Sequence, residues 1–119
     1  MPRVKRGVTT HQRHKSVLQL TKGHRATRHK LIKRAKESMV KALSYSYAHR
    51  RERKGDMRQL WITRVGAASR ANGITYGQFM DGLKKAGVAI NRKVLADMAI
   101  KEPAAFTELV TVARKQSES

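Results

Sequence analysis

Apolar residues recur at three- and four-residue steps through most of this chain, and no segment alternates convincingly with a period of two. That periodicity belongs to helices with one buried face, so the expected fold class is all-α. The clearest pattern lies in the second half. Leu60, Trp61, Arg64, Val65, Ala68 and Ala71 step along one helix that stops at Asn72-Gly73. In the next run, Thr75 is an N-cap with Gln78 as its capping-box partner, and Ile74 and Phe79 form a hydrophobic staple. Phe79, Met80 and Leu83 then point inward until Ala86-Gly87. Asn91 caps a further helix, with Ile90 and Leu95 as a second staple and Val94, Leu95 and Met98 facing in. Pro103 opens a last helix whose stripe is Phe106, Leu109, Val110 and Ala113. Pooled, these faces predict a small compact multi-helix domain over residues 59–119, with Trp61 in its core.

The first half follows a different pattern. Val8-Thr9-Thr10 offers N-cap hydroxyls to a helix running to about Leu20, with Val17, Leu18 and Leu20 as its apolar patch. Thr21-Lys22-Gly23 predicts a break with Gly23 left-handed. From about Arg25 to Lys54 there is neither Gly nor Pro, which predicts one long helix of ~45 Å. Gly55-Asp56 is expected to end it, with Asp56 capping the next. Leu31, Ile32, Ala35, Met39, Ala42 and Leu43 share one side. Lys30, Lys33, Arg34 and Lys41 lie opposite, but Arg25, Arg28, Arg50 and Arg53 lie on or beside the stripe. A helix charged all round is not a core helix.

Charge sharpens the division. The 119 residues hold 27 Lys or Arg and 8 Asp or Glu, so 27 − 8 = +19. Residues 1–58 hold 18 bases and three acids (Glu37, Glu52, Asp56), a net of 18 − 3 = +15; residues 59–119 carry 9 − 5 = +4. All five His (His11, His14, His24, His29, His49) lie in the first part. Such a segment repels itself and calls for a polyanion that encloses it; alone, it is expected to be disordered or frayed. The domain expectation is therefore a basic helical extension, 1–58, enclosed by a polyanion, followed by a globular all-helical domain, 59–119. The candidate RNA-binding set is Arg3, Lys5 and Arg6; Arg13, His14 and Lys15; Lys22, Arg25, Arg28 and Lys30; Lys33, Arg34, Lys36 and Lys41; Arg50, Arg51, Arg53, Lys54, Arg58 and Arg64.

Other chemistry finds little support. The absence of Cys removes disulfides, Cys-ligated zinc and thiol catalysis, and fits a reducing compartment. Apolar runs reach three to four residues, too short for a membrane span, and the N-terminus lacks a secretory apolar stretch. His11-x2-His14 and His24-x4-His29 sit among bases without carboxylates, a poor metal site. The acids are scattered, no phosphate-binding glycine loop is present, and no catalytic role is expected. RNP strands, GXXG loops and zinc fingers are missing, so binding would rest on Arg and Lys reaching phosphates of shaped RNA. Tyr45 and Tyr47 either stack on bases or pack on protein neighbours. Gly66 permits either close helix packing or close backbone approach to RNA.

Several motifs together resemble a known family. They are residues 1–9 (Met1-Pro2-Arg3-Val4-Lys5-Arg6-Gly7-Val8-Thr9), Arg13-His14-Lys15, Lys22-Gly23, Ala35-Lys36-Glu37, Lys41-Ala42-Leu43 and Arg50-Arg51. Arg58-x-Leu60-Trp61-Ile62-x-Arg64, Gly82-Leu83-Lys84-Lys85-Ala86 and Asn91-Arg92-Lys93-Val94-Leu95-Ala96 complete them. Nearly the whole chain resembles the L-twenty family of bacterial large-subunit ribosomal proteins. The family usually has an aromatic residue at His24, Gly at Ala26, Tyr at Ile32 and Asn at Gly66. The resemblance implies a non-enzymatic structural constituent of the cytoplasmic ribosome, without cofactor. It implies an extension threaded into large-subunit (23S) ribosomal RNA, a helical domain on the subunit exterior, and a role early in large-subunit assembly. It further implies contacts with the L-thirteen and L-twenty-one families and, in some members, repression of the protein's own messenger RNA. The rival readings are a DNA-compacting protein, an imported organellar protein whose acid-free leader is removed, and a hydrolase in the C-terminal domain. The resemblance beginning at Met1 speaks against removal of a leader.

Overall fold

The computed structural model describes Arg3 and residues 5–117; Met1, Pro2 and Val4 of the N-terminal motif lie outside the described residues. Among those described, the chain forms α1 (Gly7–Leu20), a short 3-10 helix (Ala26–His29), α2 (Ile32–Ala71), α3 (Tyr76–Lys85), α4 (Arg92–Lys101) and α5 (Pro103–Ser117), with no strand. The all-helical expectation holds. The chain divides into two compact units, Met1–Arg51 and Glu52–Ser119, and α2 contributes to both.

The second unit has a real core. Val65, Ile74, Phe79, Leu83, Leu95, Ala96, Phe106, Val110 and Ala113 are buried together, and the partly buried Trp61, Ala68, Met80 and Leu109 pack against them. The Phe79 and Phe106 rings meet at 5.0 Å between centroids, tilted by 34°. Each such ring contributes about 1.5–3 kcal/mol by leaving water. α3 packs against α5, and α4 against α5. The α3–α5 approach depends on Gly82: a Cβ there would lie 2.8 Å from the Ala113 carbonyl carbon and Cα.

Local sequence chemistry sets the starts of these helices. The Gln78 amide donates to Thr75 Oγ1 at 3.3 Å and the Thr75 amide donates to Gln78 Oε1 at 3.2 Å, which is the expected capping box. Asn91 Oδ1 accepts from the Val94 amide at 2.9 Å. Gly73 closes α2 at φ +74°, and Arg114 Nη2 donates to the Asn72 carbonyl there at 2.8 Å. Three inward placements fail. Leu60 and Val94 are exposed, and so is Ala71. On α4 the buried side centres on Leu95, Ala96 and Ala99, which turns Val94 away by about a quarter turn or more.

The first unit has almost no core. Among its described residues only Thr21 and Ala35 are buried. The Thr21 hydroxyl donates back to the Leu18 carbonyl at 3.3 Å, and Gly23 follows at φ +87°, so α1 ends where expected. Its start differs: Arg6 occupies the N-cap without a side-chain hydrogen bond, and Thr9 and Thr10 lie inside the helix. The long helix also begins later than predicted. Arg25 is extended (φ −67°, ψ 154°) and Ala26 is left-handed (φ +56°), so the backbone passes through the 3-10 turn before α2 starts at Ile32.

α2 then runs 40 residues, straight through Gly55-Asp56 where a break was predicted. Helical Gly and Asp together cost roughly 1.5 kcal/mol against Ala. Ending and renucleating a helix costs about 4 kcal/mol, so continuing is cheaper. The apolar stripe is only partly used: Ile32, Met39 and Ala42 are half-buried, while Leu31 and Leu43 are exposed. Residues 49–60 are exposed without exception.

Candidate nucleic-acid interface

The expected RNA-binding side chains reach solvent. Every Arg and Lys of the set, from Arg3 to Arg64, is exposed, and His14 is half-buried. Arg3, Lys5 and Arg6 precede α1; Arg13, His14 and Lys15 lie on it; Lys22 occupies the turn. Arg28 lies in the 3-10 helix with Arg25 and Lys30 flanking it, and the remaining members, Lys33 onward, all lie on α2.

Some of these come together. Arg13, His14, Ser16 and Val17 face Lys36 across a cleft of about 420 Å3. Arg25, Arg28, Arg34 and Lys41 line a larger one, about 520 Å3, with His24, Glu37, Ser38, Ala42 and Tyr45. Arg50, Arg51, Arg53, Lys54 and Arg58 instead follow one another along the bare stretch of α2. Arg64 stands exposed in the second unit. Sequence reasoning passed over Ser38, which carries no signal as a mid-helix serine. It also passed over Arg70, which lines a groove with Ile62, Thr63, Gly66, Ala67 and Tyr76.

Carboxylates do little to balance this surface. Arg34 Nη1 meets Glu37 Oε2 at 3.2 Å, but both side chains are well exposed, and such pairs contribute only about 0–1 kcal/mol. With 18 bases to three acids in residues 1–58, most of the positive charge has no partner within its own segment.

Both questioned tyrosines are exposed and both carry a cation. Arg51 lies over the Tyr47 ring at 3.5 Å, and Lys41 Nζ lies 4.8 Å from the Tyr45 centroid. The His49 ring runs parallel to Tyr45 at 5.6 Å. An exposed cation–π contact contributes about 0.5–1 kcal/mol. A stacked nucleobase contributes about 1–3 kcal/mol, so a base can displace such a cation. Gly66 is also clearer: an added Cβ would meet only the Tyr76 Cβ at 3.9 Å, an ordinary contact, so protein packing does not require glycine there.

Among the described residues no group of three or more His, Cys, Asp or Glu is placed to hold a metal ion. Among the described residues, likewise, no helix is long and apolar enough to cross a membrane.

Residues 3–109 match the family described as ribosomal protein L20. The chain belongs to the ribosomal protein L20 family. It is 63% identical over 113 residues to the large ribosomal subunit protein bL20 of Dehalococcoides mccartyi, covering 95% of each chain. It is 57% identical to that of Moorella thermoacetica, covering 98% of this chain and 96% of the relative. With that of Heliobacterium modesticaldum it shares 52% identity over the full length of both. The family is a structural, non-enzymatic component of the ribosome.

Proposed function

We propose that this chain binds large-subunit (23S) ribosomal RNA directly and is needed early in assembly of the large subunit. Residues 1–58 act as the RNA-threading extension, and residues 59–119 as a helical domain on the subunit exterior. The carrying observation is the exposed array of 18 Arg and Lys against three acids, on a segment with almost no core of its own. The mechanism is electrostatic. Guanidinium and ammonium groups on several sides of α1 and α2 sit among phosphates of separate RNA helices and release condensed counterions. They also lower repulsion between those helices, so that the RNA packs around the extension.

The relatives' name, large ribosomal subunit protein, supports this reading over DNA compaction, which the charge alone would also allow. Contacts with the L-thirteen and L-twenty-one families, and repression of the protein's own messenger RNA, rest on the family resemblance alone. The experiment is in-cell crosslinking with sequencing, paired with competition in solution. The expected result is crosslinks concentrated in 23S RNA and preference for that RNA over duplex DNA. Equal affinity for both, with dispersed crosslinks, would return the reading to a general polyanion binder.

A further inference from the structure

The cleft lined by His24, Arg28, Arg34, Ser38, Lys41 and Tyr45, with the Glu37 carboxylate also in its wall, is built differently from the open basic stretch of α2, and unlike the cleft at Arg13 and Lys36 it holds a tyrosine ring. Along residues 49–60 the bases stand on an open helix surface, suited to backbone phosphates. Here they surround a hollow of about 520 Å3, inside the ~300–1,000 Å3 range of pockets that hold a small molecule. The lining also holds groups that a phosphate does not need: an aromatic ring, a hydroxyl and an imidazole.

The imidazole is held in place. His24 Nδ1 and Ser38 Oγ are 2.6 Å apart, and His29 Nδ1–H donates to the His24 carbonyl at 2.8 Å. Those two bonds fix the ring and backbone of His24 and leave Nε2 for a ligand. Tyr45 is half exposed, and the Lys41 ammonium over its ring is held more weakly than a stacked base would be. A paired, stacked duplex cannot enter so small a hollow. A nucleotide turned out of its stack can, because it offers a base face, a base edge and a phosphate at once.

We infer that this cleft receives one unstacked RNA nucleotide. Its base lies on Tyr45 and its edge meets His24 and Ser38. Lys41, displaced from the ring, joins Arg25 and Arg28 on the flanking phosphates, while Arg34 neutralises the Glu37 carboxylate at the cleft wall, 3.2 Å away. This rests on the RNA-binding reading above and deepens it: the extension recognises a particular extruded position as well as charge.

The test uses the full chain and transcribed 23S RNA, with short-wavelength ultraviolet crosslinking read by mass spectrometry. Affinity is titrated across a salt series for wild type, Tyr45→Leu, Tyr45→Phe and Lys41→Gln. The expected adduct is a single nucleotide on the peptide carrying His24 or Tyr45. Tyr45→Leu weakens binding on the order of tenfold at every salt concentration with an unchanged salt slope, because it removes a stacking platform and no charge. Tyr45→Phe stays close to wild type, and Lys41→Gln lowers the slope by about one. Wild-type affinity for Tyr45→Leu, with adducts elsewhere, overturns the inference while leaving salt-dependent RNA binding intact. Wild-type protein with no preference for 23S RNA over duplex DNA overturns both.

Discussion

Gly82 shows how one residue can set a helix pair. The α3 and α5 backbones approach so closely that a methyl group at position 82 would lie 2.8 Å from Ala113 main-chain atoms, which cannot rotate away as a side-chain tip can. Gly82→Ala is therefore expected to cost at least about 1–3 kcal/mol, visible as a fall in the melting midpoint of the second unit. An unchanged midpoint would contradict the α3–α5 packing. Ser69 makes the opposite case: its Oγ is buried without a hydrogen-bond partner among the described residues. Ser69→Ala removes that unsatisfied hydroxyl and is expected to raise the midpoint by an amount equivalent to about 1 kcal/mol. Ala26 holds a left-handed φ of +56°, a region that costs a residue with a Cβ roughly 1–2 kcal/mol. Ala26→Gly relieves it, and slower hydrogen exchange at the Leu31 and Ala35 amides is the outcome to look for. Residue 69 does not announce its state in sequence, and at residue 26 the one hint is the glycine that the family usually has there. A buried serine and an exposed one read alike, and a left-handed alanine breaks its own propensity because the turn after Gly23 demands it.

At the level of elements, what could be read depended on whether the signal was local. Thr75, Gln78, Ile74 and Phe79 carry their information within six residues, and the capping box and buried staple formed as predicted. The stop at Gly23 and the start at Pro103 are equally local. Gly55-Asp56 is only a weak breaker, and its flanks supply enough good helix formers to carry α2 through. The candidate site divides in the same way. Its bases were legible as a charge pattern, but the gathering of His24 and Ser38 beside Tyr45 depends on the 3-10 turn, which no periodicity shows. An added Cβ at Gly55 meets nothing within 4 Å, so Gly55→Ala isolates helix propensity. It is expected to stabilise that turn of α2 by about 1 kcal/mol, seen as deeper 222 nm ellipticity. A loss of ellipticity would mean that α2 is interrupted there.

Across the whole molecule the dominant asymmetry is between charge and core. The second unit buries Phe79, Phe106, Leu83 and Leu95, whereas the first buries only Thr21 and Ala35 among its described residues. Conformational entropy of roughly 1–2 kcal/mol per ordered residue must be met from outside where burial is this sparse. Hydrogen exchange of the free chain is thus expected to be fast over residues 7–54 and slow in the α3–α5 core, with protection of the first region gained on adding RNA. Full protection of α1 and the first half of α2 without RNA would contradict coupled folding. The central claim, that exposed cations of residues 1–58 bind RNA through its phosphates, is tested most directly by the salt dependence of affinity. For about ten phosphate contacts, log K against log salt should fall with a slope near −9. Replacing Arg50, Arg53 and Lys54 with Gln should make that slope shallower by about one for each phosphate-binding cation removed. A slope near zero with 23S RNA, or one untouched by those substitutions, would contradict the account.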